Sequence, residues 1–283
     1  RSRPENLPFL TRMRAVADNL GDRMLLAEIS CDHQVERMAE YTTNRRLHSA
    51  YSFELLQSRL DGTHIAESVI AAGAEGAWPT WAFSNHDVPR VASRWNAEGN
   101  ADRIQLFQAM LLCLRGTIIL YQGEELGLPH SDVPRERLQD PEAIRFWPRH
   151  RGRDGARTPM PWQPDGPALG FSSRDGWLPA EAGHAALAVS EQDADPTSIL
   201  NHCRRLMALR KQEPALQLGT FELIHADIGS LIFRRHHGTT SLLCAFNFSD
   251  QAIAVTIAGT VLAGAVTAGH LAPNRYVVVK ESG

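Results

Sequence analysis

Three carboxylates in this sequence follow short apolar runs. Glu28 closes Met24-Leu25-Leu26-Ala27, Asp87 comes shortly after Trp81-Ala82-Phe83, and Glu124 comes shortly after Thr117-Ile118-Ile119-Leu120-Tyr121. Carboxylates at neighbouring strand ends make a natural acid/base pair. Burial favours the neutral form of a carboxyl group, the form a general acid needs, so the buried strand expected before Glu28 suits that residue to proton donation. Asp87 sits in Phe83-Ser84-Asn85-His86-Asp87-Val88-Pro89-Arg90. Crowding Asn, His, Asp and Arg into one turn is costly unless they bind something polar, and a hydroxyl-rich ligand such as a sugar would use these donors and acceptors. Each residue also has a plain reading. Glu28 could cap a helix or meet an arginine, and Asn85 or Asp87 could cap the helix that follows.

The elements that must position these residues alternate. Asn6 to Leu20 carries apolar residues at a helical period and ends at Gly21. Met24–Ala27 reads as a buried strand, Leu47–Leu56 as a weaker strand running into helix, Trp81–Phe83 and Thr117–Tyr121 as two more strands, and Asp102–Leu114 as a helix. Strands alternating with helices imply a parallel sheet, whose sites lie at the C-terminal strand ends in barrels and open sheets alike. Residues about 128 to 195 form a long irregular stretch, and Phe146, Trp147, Trp162 and Trp177 argue that it is packed. Helix returns at Ser198–Lys211. From about Leu218 short alternating strands separated by turns read as an antiparallel sandwich. The domains expected are 1–213 and 214–283, divided near Glu213-Pro214.

Composition excludes several classes. In 283 residues there are 29 basic and 32 acidic side chains, a net charge of −3 that suggests neither a nucleic-acid nor an anionic-membrane partner. No apolar run is long enough to span a bilayer, and no signal-peptide pattern follows Arg1. Cys31, Cys113, Cys203 and Cys244 form no C-x-x-C pair, which fits a reducing, cytoplasmic setting and offers no structural metal site. Neither a P-loop nor a Gly-x-Gly-x-x-Gly follows a strand, which disfavours a nucleotide-binding protein.

Four segments resemble the α-amylase family, glycoside hydrolase family 13. Phe83-Ser84-Asn85-His86-Asp87 with Arg90 is similar to its fourth signature region, and Leu25-Leu26-Ala27-Glu28-Ile29 to its third, with Ala27 where glycine is usual. Tyr121-Gln122-Gly123-Glu124-Glu125-Leu126-Gly127 resembles the end of the eighth barrel strand. Arg153-Asp154-Gly155-Ala156-Arg157-Thr158-Pro159-Met160-Pro161-Trp162 resembles the α-glucosidase and oligo-1,6-glucosidase branch. The order and spacing of the four agree with that branch.

The resemblance implies roles. Glu28 would be the general acid/base and Asp87 the third carboxylate, orienting the sugar beside the scissile bond. His86 and Arg157 would bind that sugar, with Asn85 and Phe83 from the same motif, and Arg153 is an alternative to Arg157. No cofactor and no metal ligand is implied. The family's nucleophile, an aspartate in a Gly-Phe-Arg-x-Asp context, has no match here, and Asp22 and Asp32 do not fit the pattern. The expected fold is therefore α/β, the C-terminal half of a (β/α)8 TIM barrel (strands 5–8) plus an all-β C-terminal sandwich. The expected partners are a small α-glucoside, for hydrolysis or transglucosylation, and a missing N-terminal barrel half without which the chain is inactive. The alternative is a non-catalytic carbohydrate-binding or assembly module derived from the family.

Overall fold

The apolar runs form strands and the periodic segments form helices. A computed structural model of the chain describes residues 3–73 and 77–282. In chain order it contains α1 (Asn6–Asn19), β1 (Leu26–Ile29), α2 (Gln34–Thr42), β2 (Ser49–Ser52), α3 (Gly62–Ala72), β3 (Pro79–Ala82), α4 (Val91–Arg94), α5 (Ala101–Cys113), β4 (Thr117–Ile119), α6 (Pro141–Phe146), α7 (Val189–Ala194), α8 (Ile199–Gln212) and α9 (Pro214–Leu218). The strands β5 (Thr220–Ala226), β6 (Ser230–His237), β7 (Thr240–Asn247), β8 (Ile253–Ala254), β9 (Gly259–Gly264), β10 (His270–Leu271) and β11 (Arg275–Glu281) complete it. The chain divides into two compact units. One comprises Arg1–Ala82, Met110–Ile119 and Leu209–Gly283, the other Phe83–Ala109 and Leu120–Ala208.

The first unit holds a parallel sheet in the order β1-β2-β3-β4, as the alternating pattern implied. The inner strands β2 and β3 are wholly buried. Strand β1 is an edge strand, which corrects the expectation of a buried one: Leu26 and Glu28 both face outward. Helix α1 begins and ends close to where its period indicated, with Gly21 at φ +85° just beyond it. Its apolar side is nevertheless open, with Phe9 57%, Val16 60% and Leu20 64% exposed, and only Ala17 is buried. Asp61 caps α3 by accepting from the Thr63 and His64 amides, and Ile65, Ala66, Val69 and Ala72 form the buried side of that helix.

The C-terminal strands make a five-stranded sheet, β5-β6-β7-β11-β9, and a two-stranded one, β10-β8. Leu243, Ala245, Val277 and Val279 on one face of the larger sheet pack with Val255 and Leu271. Across the strands, Phe221, Phe233, Phe246 and Tyr276 form a ladder of rings with centroids 4.7, 5.7 and 6.3 Å apart. The buried Arg235 donates to the carbonyls of Cys113, Gly219 and Thr220, and Arg210 to those of Leu112, Leu114 and Gly116. The bonds to Leu112 and Cys113 satisfy carbonyls at the end of α5, which helical bonding leaves open.

The second unit packs Phe83 edge-on to Trp95 and Trp95 edge-on to Phe107, at 4.8 and 5.2 Å. Its long segment is ordered, but not chiefly by the aromatics that suggested it. Phe146, Trp162 and Trp177 are exposed, and Trp147 packs on an apolar cluster of Val133, Leu138, Ala143 and Leu178. Buried polar side chains tie the segment down instead. Gln192 bonds the backbone of Leu126, Leu187 and Leu200, His184 bonds Pro129, and Asp154 bonds Gln139 and Asp140. A loop fastened in this way satisfies backbone groups that a purely apolar contact would leave open.

Candidate active site

The turn after β3 is held from within. Asn85 Oδ1 accepts from the amides of Asp87 (2.9 Å) and Val88 (3.0 Å), an Asx turn, while Ser84 Oγ accepts from the Val91 amide at 2.8 Å and caps α4. Asn85 is therefore occupied as a scaffold. Phe83 is 0% exposed and packed on Trp95, so its side chain belongs to the core beneath the turn. What the turn presents is His86 and Asp87, whose side chains are 56% and 26% exposed.

Arg90 fixes the turn to its surroundings. It is buried, lies over the Tyr121 ring at 5.3 Å, and donates to the carbonyls of Gln122 (2.6 Å) and Ala156 (3.1 Å). Tyr121 Oη donates to the Ala156 carbonyl as well, at 2.9 Å. Ala156 precedes Arg157, so these bonds set that arginine against the turn. Arg157 Nε donates to the His86 carbonyl at 2.8 Å, and its Nη2 to Asp87 Oδ1 at 3.0 Å. Arg153 Nη1 reaches the same oxygen at 3.2 Å, and His86 Nε2 lies 3.6 Å from it. Both arginines noted in the sequence thus meet Asp87. Its other oxygen, Oδ2, has no partner among the described residues.

Arg153 has a second carboxylate that sequence reasoning missed. Asp140 is buried and accepts from Arg153 Nε (2.9 Å), Nη2 (3.1 Å) and backbone N (2.9 Å). It also caps α6 through the Glu142 amide. These bonds hold its carboxyl well below the usual carboxylate range, the Arg153 side chain being the main cause. Asp140-Pro141 is a legible helix start, but nothing local in the sequence pairs it with Arg153.

The other two strand-end carboxylates differ from Asp87. Glu124 is buried, accepts from the Tyr121 amide at 3.2 Å, and is pushed up to about 8 by burial. Glu28 is exposed, contrary to the desolvation expected of it. Beside Asp87 opens a cavity of about 530 Å³, lined also by Ser93, His130, Asp132, Arg151 and Arg153. Among the described residues no group of three or more His, Cys, Asp or Glu side chains is arranged to hold a metal ion. The arrangement can accept and donate hydrogen bonds on adjacent atoms of one ligand: Asp87 Oδ2 as acceptor, with guanidinium and imidazole donors at its side.

Comparison with known proteins places the chain among its relatives. The family model described as "Alpha amylase, catalytic domain" matches residues 1–219. A probable alpha-glucosidase of Rhizobium meliloti is 44% identical over 262 residues, covering 89% of this chain and 47% of that protein. A probable oligo-1,6-glucosidase 2 of Bacillus subtilis is 32% identical over 195 residues, covering 62% of this chain and 35% of that protein. The crystal structure of the alpha-glucosyl transfer enzyme XgtA matches with a TM-score of 0.91 and 42% identity, over 99% of this chain and 55% of that one. The chain thus spans about half the length of these relatives, or less. A strand-end His-Asp turn braced by arginines, a parallel sheet, a C-terminal antiparallel sheet and a catalytic-domain match over residues 1–219 converge on one conclusion: the chain belongs to the alpha-amylase family, whose fold is a TIM barrel with a C-terminal sheet domain.

Proposed function

We propose that this chain is the C-terminal part of a retaining α-glucosidase that hydrolyses short α-glucosides or transfers their glucosyl group to another hydroxyl. In this reading β1 to β4 are strands five to eight of the barrel, residues 1–213 the barrel portion and 214–283 the sandwich. Glu28 protonates the glycosidic oxygen as the bond breaks and then takes a proton from water or an acceptor hydroxyl. Asp87 orients the sugar and steadies the oxocarbenium-like transition state, with His86 and Arg157 beside it. The observation that carries the reading is Asp87 with Oδ1 held by Arg157 and Arg153 and Oδ2 left for a ligand. The glucosidase and glucosyl-transfer names of the relatives support the substrate class.

A retaining glycosidase needs a second carboxyl as nucleophile, roughly 5–5.5 Å from the acid. No residue here matches the family's pattern for it, so the chain is inactive without an N-terminal barrel half. The open apolar side of α1, with Met24 and Leu26 exposed next to it in sequence, suits burial against such a half. Among the described residues no helix is long and apolar enough to cross a membrane, and none of the four cysteines is in a disulfide.

Glu28→Gln in the enzyme complemented with an N-terminal half is expected to lower kcat on an aryl α-glucoside by at least about 10²-fold. Unchanged turnover would remove Glu28 from its role. The exposure of Glu28 favours a second reading, a carbohydrate-binding module without catalysis. Tight maltose binding by calorimetry, with no turnover after complementation, would select it.

A further inference from the structure

We infer that Asp140 is a positioning residue for sugar recognition by Asp87, acting through Arg153. The inference deepens the reading of Asp87 given above and rests on it.

Three facts carry it. Arg153 meets Asp87 through one nitrogen only, Nη1 on Oδ1 at 3.2 Å. Asp140 takes one whole edge of its guanidinium: Nε on Oδ2 and Nη2 on Oδ1, with the Arg153 amide also on Oδ2. Asp140 cannot follow Arg153 if that side chain moves. It is buried, its own amide is held by Asp154 Oδ2 at 2.8 Å, and it caps the start of α6.

A guanidinium facing a carboxylate prefers two parallel bonds to one. A free Arg153 beside Asp87 would turn its fork onto both carboxylate oxygens and cover Oδ2, the atom a sugar hydroxyl needs. Asp140 prevents this by pinning the guanidinium through its Nε–Nη2 edge, so that it cannot swing toward Oδ2. Arg157 is similarly held in place, with Nε on the His86 carbonyl and Nη2 on Asp87 Oδ1. Both arginines are thereby restricted to Oδ1. The formal charges of Asp87, Asp140, Arg153 and Arg157 cancel, so neither arginine is left as an uncompensated cation beside an uncharged sugar.

The test is a mutant cycle in the enzyme complemented with its N-terminal half, read as KM and kcat on an aryl α-glucoside. Asp140→Asn keeps a capping oxygen but weakens the hold on the fork. It is expected to raise KM about tenfold, as for loss of a charge-assisted bond, with a smaller change in kcat. In Asp140→Asn/Arg153→Met no fork remains to cover Oδ2, and KM is expected to fall back to that of Arg153→Met alone. A double variant as impaired as Asp140→Asn, or an unchanged KM in Asp140→Asn, would overturn the inference. Arginine side-chain NMR of this chain by itself gives a readout that needs no activity. Asp140→Asn should move the Arg157 Nε–H signal, because both arginines share Oδ1, and an unmoved signal contradicts the relay. If wild type shows no turnover while the NMR coupling is present, the glucosidase reading fails and the relay stands.

Discussion

Burial acts in opposite senses on the titratable side chains of the second unit. Glu124 is pushed up to about 8 from 4.5 by loss of water, against the opposing pull of Arg94 and Arg90. His130 and His202 are pushed down to about 4 from 6.5 by the same loss. Between 4.5 and 8 the unfolded chain gives up the Glu124 proton that the folded chain keeps, so this residue makes stability fall as pH rises. Between 6.5 and 4 the unfolded chain takes up two imidazole protons that the folded chain refuses, so these residues make stability fall as pH drops. From 4.5 to 6.5 the two histidines outweigh the one glutamate, and from 6.5 to 8 the pull of the glutamate remains. The expected outcome is a maximum in Tm near pH 6.5, with the alkaline decline abolished in Glu124→Gln. A Tm still rising from pH 6.5 to 8 would contradict the assignment.

At the scale of elements, one close approach joins α3 to the C-terminal sheet within the first unit. The Gly62 amide donates to the Asp227 carbonyl at 3.0 Å, and a Cβ at Gly62 would lie 2.2 Å from the Ser230 carbonyl oxygen. Both obstacles are backbone, so Gly62→Ala should lower the denaturant midpoint by an equivalent of about 1–3 kcal/mol. An unchanged midpoint would show that the sheet can yield there. Asp61-Gly62 was not legible as a contact, since the sequence shows a helix start but not what faces it. The same limit explains the other misses. Periodicity gave α1 nearly to the residue, yet whether Phe9 and Val16 meet a partner depends on what lies across from them. The order of β1 to β4 followed from alternation, whereas the edge position of β1 follows from what pairs with it. Strand β9, Gly259–Gly264, has too few β-branched residues to stand out, and pairing with β11 forms it. In the site, His86, Asp87 and both arginines were legible from their motifs. Asp140 was not, because its bond to Arg153 closes a 13-residue loop that no local rule specifies.

At the scale of the whole molecule, the proposed reading makes function depend on a division of labour. In that reading the chain contributes a carboxylate held for orientation and the acid/base, and the nucleophile would come from an N-terminal barrel half. Its open surfaces agree with that division: the apolar side of α1 and the outward face of Leu26 on β1 are what a neighbouring barrel segment would cover. Covering them would also take Glu28 out of water, the environment a general acid requires. The most direct measurement is hydrolysis of an aryl α-glucoside by this chain alone and after adding an N-terminal half that carries the nucleophile, with the product anomer followed by NMR. The account predicts no turnover by the chain alone, and α-glucose released with retention once the halves are combined. Retaining hydrolysis by the chain alone, or β-glucose from the combination, would contradict it.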